Sequence, residues 1–505
     1  MTRLTKPLPF RWALLFSVAA ALLLMLAFPF TRVFPLTLVC LVPLMLALRG
    51  QGWLRGLLFG LLFGFVYQSY IMFWANFFGP PAYLFLAGYK TVLPGFFGLL
   101  CAFLGRKRPE LFPLAFVSGF VALEFLQTFG PFGVTWGMLS HAWARHPLLL
   151  QCCSLLGPWT LSLLLVLVNT SLFVSLVPEY QNQRRRWWLV TGLLWLGSLA
   201  FGGWRLGQDW GPGTTFTAGV AQNSMGRDVR WDPNFAQTAL QNLEKLTLAA
   251  SNRGARLVVW PETAIPYRGF RKLPNLTFEV GLLALKSKSY IIVGSIEKMD
   301  DEFNHTLNTA SLVTPQGAFE GQYDKQRLVP GGEYLPLEKW LRPYKIFDRV
   351  MRYMPGANAN GVFNCADLGI RPGMLICFES MVPYLAAQRV RDGSDVLVVA
   401  TNDGWFGDNP AIAHHFEMAV FRAVEQGRPV IQCGNTGISG MIDERGRILE
   451  ETPINQAMLA VHEVTARRQN TVYSRVGDIL AWLALVVFLL CPLLPKGTQA
   501  SAGKL

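Results

Sequence analysis

The sequence predicts a two-part protein, a polytopic α-helical membrane domain of about eight spans joined to one α/β domain outside the membrane. Three observations carry that prediction. The chain is 52% hydrophobic but only 15% charged, with a mean hydropathy of +0.31, whereas an ordinary soluble domain carries roughly 25% charged residues. Long apolar runs crowd the first two hundred residues and return once near the C-terminus. Between residues 205 and 475 the apolar runs shrink to strand length and alternate with amphipathic helical stretches.

About 17 to 25 mostly apolar residues cross the hydrocarbon of a bilayer as a helix. Runs of that kind lie at 12–28, 33–48, 57–75, 83–104, 111–128, 156–177, 187–204 and 477–494. The second is short and carries Pro35 and Pro43, the fourth contains Lys90 and the fifth Glu124, so their edges are soft. The chain therefore divides into a membrane domain over 1–204, an outer domain over 205–475 and a last helix with a short tail over 476–505. Basic residues in short loops mark the cytoplasmic side. With the N-terminus inside, thirteen Lys and Arg fall on inner segments (Arg3, Lys6, Arg11, Arg49, Arg55, Arg106, Lys107, Arg108, Arg184, Arg185, Arg186, Lys496, Lys504) and three outside (Arg32, Lys90, Arg145). The outer domain is then extracytoplasmic. A cleaved signal peptide would also explain a basic start and apolar core, but no small-x-small site follows Leu26 and another apolar run begins at once.

In the outer domain Thr217 to Ala221, Leu257 to Trp260, Tyr290 to Val293, Met374 to Ile376, Val396 to Ala400 and Pro429 to Gln432 read as buried strands. Phe235 to Ala250, Thr277 to Lys286 and Ala411 to Gln426 read as helices between them, which suggests a mixed or parallel sheet. The net charge of +13 does not point to nucleic acid, because the basic residues cluster beside apolar runs rather than on a soluble face. Of eight cysteines only Cys365, Cys377 and Cys433 lie in this domain, and an odd number leaves at least one free thiol. No CxxC or HExxH spacing occurs, so neither a metal nor another cofactor is expected.

Three short constellations remain. LVVWPETAIP over 257–266 is a strand ending in Glu262, placed where α/β sheets put their sites, although an exposed loop acid or N-cap is the plain alternative. YDKQRLVPGGEYLP over 323–336 puts Lys325 at a strand end and Glu333 eight residues on, and a loop lysine is usually just solvated. RPGMLICFES over 371–380 puts Cys377 first past a buried strand, followed by Phe378 and Glu379, and most lone cysteines are simply packed. As one site these residue types answer the separate demands of acyl transfer. A thiol with an ordinary pKa of about 8.5 needs a base or a cation beside it, which Glu262 and Lys325 would supply. The charge that develops on the carbonyl oxygen needs a preorganised donor, worth about 2.7 to 4 kcal/mol.

Glu, Lys and Cys in this order, within WPE, YDK and a post-strand Cys, resemble the nitrilase (carbon-nitrogen hydrolase) superfamily over nearly all of 205–475. With seven apolar runs before that domain and one after it, the whole chain is similar to the bacterial apolipoprotein N-acyltransferase family. The resemblance implies an αββα sandwich held in the bacterial inner membrane with the catalytic domain on the periplasmic side. It implies a ping-pong reaction that moves an acyl chain from phosphatidylethanolamine or a similar phospholipid, through a Cys377 thioester, to the N-terminal S-diacylglyceryl cysteine of a lipoprotein. By motif, Glu262 is the general base and Lys325 the oxyanion partner, with Glu333 and Glu379 as supporting acids. Phe378 falls where the family often has Tyr, and Trp231 in VRWDP matches a loop aromatic near the lipid entrance. A monomer is expected, without nucleic acid.

A membrane location suits such substrates, since each buried methylene contributes about 0.8 kcal/mol and a sixteen-carbon chain near 12 kcal/mol. Aromatic loops at Phe347 to Tyr353 and Trp405 to Phe406 are candidate lids, or else interfacial anchors. Glu124, costly within a span, and Trp136, in the outer loop after it, are further candidates for substrate binding, with helix packing and anchoring as the alternatives. Two other readings use the same features. A membrane-anchored nitrilase-type amidase would pass the acyl group to water, and a transporter with a regulatory outer domain would need more polar residues in its spans than Lys90 and Glu124.

Overall fold

A computed structural model of the chain describes residues 6–225, 233–265, 267–299, 305–345, 348, 350–357 and 360–494. Five of the eight apolar runs form helices long and apolar enough to cross a bilayer: α3 (Trp53–Ile71), α4 (Pro80–Lys107), α5 (Pro109–Leu126), α6 (Pro158–Leu176) and α7 (Pro178–Gly207). The other three are shorter than the sequence suggests. Helix α1 (Phe10–Met25) has 16 residues, about 24 Å at 1.5 Å per residue. The run at 33–48 is a 3-10 turn, Phe34–Leu38, followed by α2 (Val42–Leu48), each with a proline in its first turn. Proline has no N–H and fixes φ, so Pro35 and Pro43 start new turns rather than continue one helix. Helix α12 (Ile479–Leu490) has 12 residues and packs beside α5.

Helices α3 and α4 lie closely antiparallel because Gly56, Gly60 and Gly64 repeat at every fourth position of α3. A Cβ on Gly60 would sit 2.2 Å from the carbonyl oxygen of Pro94 in α4, so only glycine permits this small-residue contact. Arg49 and Arg55 stand at the start of α3, Arg106 to Arg108 at the end of α4 and Arg184 to Arg186 in the first turns of α7. The opposite ends of α3 and α4 are joined by a 3-10 turn, Phe73–Phe78. Lys90 is not a loop charge. It is buried within α4 and donates to the carbonyls of Gln127 and Val134 at 2.9 and 3.3 Å, leaving Arg32 and Arg145 in the outer loops.

The outer domain is an αββα sandwich. One sheet has the order β11-β1-β2-β3-β4-β5 and the other β10-β9-β8-β7-β6. The strands are β1 (Thr214–Gln222), β2 (Leu257–Val259), β3 (Tyr290–Lys298), β4 (Thr306–Val313), β5 (Phe319–Asp324), β6 (Pro372–Ile376), β7 (Val396–Thr401), β8 (Val430–Gly434), β9 (Gly440–Ile442), β10 (Ile448–Glu451) and β11 (Met458–Ala466). β1, β2 and β3 are mutually parallel, as are β6, β7 and β8. Apolar residues of both sheets, among them Val259, Ile292, Met374, Ile376, Val398 and Ile431, interlock in the core between them. Helices α8 (Pro233–Asn252) and α9 (Pro274–Ser287) cover the first sheet. Helices α10 (Pro383–Arg391) and α11 (Ala411–Gln426) cover the second.

The outer face of α11 does not meet water. Phe416, Val420 and Phe421 belong to the same apolar cluster as Phe28, Leu139 and Leu150, so the sandwich and the membrane helices share one core. Ion pairs pin this seam. Glu417 receives Arg32 at 2.6 Å and Arg145 at 3.0 Å, and Arg145 also holds Glu451 through two hydrogen bonds of 2.9 and 2.8 Å.

Candidate active site

Glu262, Lys325 and Cys377 each follow the carboxyl end of a strand. β2 runs into Trp260, whose indole N–H donates to Thr247 at 2.9 Å, and Pro261 and Glu262 then turn across β3. The crossing is tight enough that a Cβ on Gly294 would lie 2.1 Å from the Pro261 carbonyl oxygen. Thr263, next in the chain, has φ +49°. Glu262 is 5% exposed. Its Oε1 accepts from the Asn308 amide at 2.6 Å and from Lys325 Nζ at 3.3 Å.

Lys325 follows β5 and is 1% exposed. Its Nζ stands between two carboxylates, with Glu333 Oε1 at 2.8 Å opposite Glu262. Asn308 on β4 reaches Glu333 Oε1 as well, at 3.1 Å, so one amide spaces the two acids. The turn 329–333 closes on itself, the Val329 N–H donating to Glu333 Oε2 at 2.8 Å. Burial alone would strip the charge from Lys325, but Glu262 and Glu333 outweigh it and hold the ammonium pKa well above its ordinary value. Burial pushes the Glu333 carboxyl up, and Lys325 opposes that rise.

Cys377 is the first residue past β6 and has φ +51°. A non-glycine residue in the left-handed region stores strain of about 1–3 kcal/mol. Glu379 holds the turn. Its Oε2 accepts the Ile376 N–H at 2.8 Å. Its Oε1 accepts from the Tyr323 hydroxyl and from the N–H groups of Gln326 and Arg327, at 2.8, 2.8 and 3.0 Å. One carboxylate thus ties the turn after β6 to the turn after β5. Arg389 braces the same point, donating to Tyr323 at 2.9 Å. Burial and then Glu262 push the Cys377 thiol well above its ordinary pKa, with Lys325 pulling it back. The resting sulfur is a thiol that needs a base.

Glu262, Lys325, Glu333 and Cys377 line one cavity of about 40 Å³ together with Phe378, Val329, Met381 and a shell of rings. Trp74, Phe78 and Trp136 come from the membrane domain, Trp405 and Phe406 from the loop after β7. Phe78 stacks on Trp405 at 5.8 Å and Trp74 on Trp136 at 5.5 Å.

The structure therefore brings Glu262, Lys325, Glu333, Cys377, Phe378 and Trp136 to one cavity and places Glu379 behind it. Glu124 is not among the lining residues. Buried in α5, it accepts the Leu139 N–H at 2.6 Å and so anchors the loop that carries Trp136. Trp231 lies outside the described residues, as do parts of the 347–353 loop. Sequence reading missed Asn308, Trp74 and Phe78, and also a buried group of Asp403, His415 and Ser380. The neighbours His414 and His415 stand out in the sequence, but no motif spacing connects His415 to Asp403 or Ser380. Among the described residues no three His, Cys, Asp or Glu side chains gather as a metal site would need.

An αββα sandwich with glutamate, lysine and cysteine at its strand ends, seated on apolar helices, defines a membrane-embedded domain of the carbon-nitrogen hydrolase class. Residues 217–472 match the carbon-nitrogen hydrolase family, and residues 20–171 match the apolipoprotein N-acyltransferase N-terminal domain. An apolipoprotein N-acyltransferase of Geobacter metallireducens is 32% identical over 93% of this chain and 92% of its own. One from Brucella melitensis is 31% identical over 70% and 69%, and one from Thermotoga maritima 27% identical over 94% and 93%. The chain belongs to the apolipoprotein N-acyltransferase family.

Proposed function

We propose that this protein N-acylates the N-terminal S-diacylglyceryl cysteine of lipoproteins, taking the acyl chain from a phospholipid such as phosphatidylethanolamine through a thioester on Cys377. The observation that carries the reading is the convergence of Glu262, Lys325 and Cys377 in one buried cavity walled partly by rings from the membrane helices. Glu262 takes the thiol proton as Sγ attacks the ester carbonyl. Lys325 Nζ meets the oxyanion, and Glu333 holds that ammonium in place. Collapse breaks the ester C–O bond, and Glu262 returns the proton to the departing lysophospholipid hydroxyl. In the second half the α-amine attacks the thioester, the C–N bond forms as C–S breaks, and the amine's proton passes through Glu262 to the sulfur.

Helix direction supports a periplasmic site in the inner membrane. The arginine clusters at 49–55, 106–108 and 184–186 lie at the ends of α3, α4 and α7 away from the turn 73–78, and that turn walls the cavity. By the positive-inside rule those clusters are cytoplasmic, so the cavity opens on the other face. The reading includes eight spans, the short helices adding to the five long ones, and a monomer that contains every reacting group. The test is to incubate the full-length protein with phospholipid labelled in its acyl chain. A hydroxylamine-sensitive adduct on Cys377, lost in Cys377→Ser, is expected. Active enzyme without that adduct would overturn the reading.

A further inference from the structure

Behind the nucleophile lies a polar group that the reaction as written does not use. Asp403, His415 and Ser380 are each fully buried. His415 Nδ1 faces Asp403 Oδ1 at 2.8 Å, and Thr401 donates to the same oxygen at 2.9 Å. His415 Nε2 lies 2.9 Å from Ser380 Oγ and 3.3 Å from the carbonyl oxygen of Cys377. Ser380 Oγ donates to that carbonyl at 2.9 Å. The carbonyl belongs to the residue held at φ +51°, so these bonds bear on the one strained peptide that aims the thiol. Two rings of the cavity wall also touch the imidazole, Trp136 stacked at 6.4 Å and Phe406 edge-on at 5.9 Å.

We propose that His415, oriented by Asp403, is a positioning residue that locks the left-handed turn at Cys377 from behind and so fixes where Sγ stands for attack. This rests on the reading of Cys377 as nucleophile and adds a second layer to it. The proton count gives the lock two states. Nδ1 faces a carboxylate and must donate. With Nε2 also protonated, the ring can donate to the Cys377 carbonyl while Ser380 donates there too. With Nε2 bare, it becomes an acceptor that draws the Ser380 hydroxyl away, and the carbonyl loses both donors. The charged and titratable groups around the ring are Asp403 after β7, Glu262 after β2, the Cys377 residue itself and His414 on its own helix. Burial disfavours the charged ring, but Asp403, the Cys377 carbonyl and Glu262 together raise its pKa above the ordinary histidine value, which favours the locked state near neutral pH. His414, driven down to about 3 by burial and by its neighbour, stays neutral.

The test uses the full-length protein in lipid nanodiscs with phospholipid as acyl donor. His415→Leu is expected to slow acyl-enzyme formation on the order of 10²-fold, as a misplaced reacting atom does, with the KM for phospholipid unchanged. His415→Gln can still donate to the carbonyl but cannot titrate. It should recover much of the rate, and its rate relative to wild type should rise with pH as the wild-type ring loses its second proton. Ser380→Ala, which leaves the ring in place, should show a smaller fall in the same step, and together with His415→Gln it decides the matter if His415→Leu does not fold. A wild-type rate in His415→Leu would overturn the proposal, as would His415→Gln being equally slow with a flat pH ratio, because the ring would then only fill space. Cys377→Ala is run in parallel. Activity in that variant would sink the nucleophile assignment itself, a failure separable from the others.

Discussion

Replacing Lys325 with methionine keeps most of the aliphatic stem and deletes Nζ, the atom 2.8 Å from Glu333 Oε1 and 3.3 Å from Glu262 Oε1. Two effects follow, and they separate by pH. If Nζ meets the oxyanion, its loss costs about 2.7–4 kcal/mol, or roughly 10²–10³ in the rate of acyl-enzyme formation. Breaking a buried ion pair from one side also costs stability, about 3–5 kcal/mol, because two carboxylates are left facing each other across Asn308. In wild type burial raises the Glu333 pKa while Lys325 restrains it, so without Nζ the folded-state value climbs further above the unfolded carboxylate value of about 4.3. A raised folded pKa means that the stability is present at low pH and lost as pH rises through that value. The melting temperature of Lys325→Met should therefore fall well below wild type at pH 8 and approach it on acidification, while the acylation rate stays low throughout. Acyl-enzyme formation within a few-fold of wild type would refute the oxyanion role. A melting deficit that ignores pH would refute the account of the two acids.

The other predictions probe the frame around that triad. Glu379→Gln should lose both stability and acylation, because an amide presents N–H groups to donors that now meet a carboxylate. Each buried donor left unpaired costs about 1–3 kcal/mol, read by thermal melting. Gly294→Ala should abolish acylation in folded protein, since the new methyl would stand 2.1 Å from the Pro261 carbonyl and 2.9 Å from Glu262 Cα and must push the base aside. Glu124→Gln should acylate at close to the wild-type rate in the same assay, because an amide oxygen still accepts the Leu139 N–H, and a large loss would return Glu124 to the substrate path. Trp405→Ala should speed alkylation of Cys377 by a bulky maleimide, because it removes the ring stacked on Phe78 over the cavity. Unchanged labelling would place the entrance elsewhere.

What the sequence shows of this site depends on how each group is held. Glu262, Lys325 and Cys377 are legible because each follows a short apolar strand, and a strand's carboxyl end is a place that periodicity can find. Glu333 is legible through its Gly and Pro turn. Asn308 is not, because nothing in HTLNTAS distinguishes a strand residue facing the site from one facing the core, and its partners lie 46 and 25 residues away. His415 is hidden for the opposite reason. It sits in a helix whose pattern reads as ordinary amphipathic packing, yet nearly all of that helix is buried, with Phe416, Val420 and Phe421 in the same apolar cluster as residues of the membrane domain. The eight apolar runs were visible by composition, but which of them make uninterrupted helices turned on Pro35 and Pro43 and on packing that a hydropathy count does not contain.

The rings explain why the chemistry and the membrane domain occupy one chain. A thiol kept protonated by burial and a lysine kept charged by two acids face a cavity walled by those rings. Phe78 and Trp405 stack on each other in the wall of that cavity. One of those rings belongs to the hairpin between α3 and α4 and the other to the loop after β7. Parting them is a movement across the seam between lipid-facing helices and sandwich, and a substrate rising along α3 or α4 meets the hairpin first. Under the proposed mechanism, a lipid substrate entering between those rings would displace them, and their return would keep water from the proposed thioester while it waits for the amine.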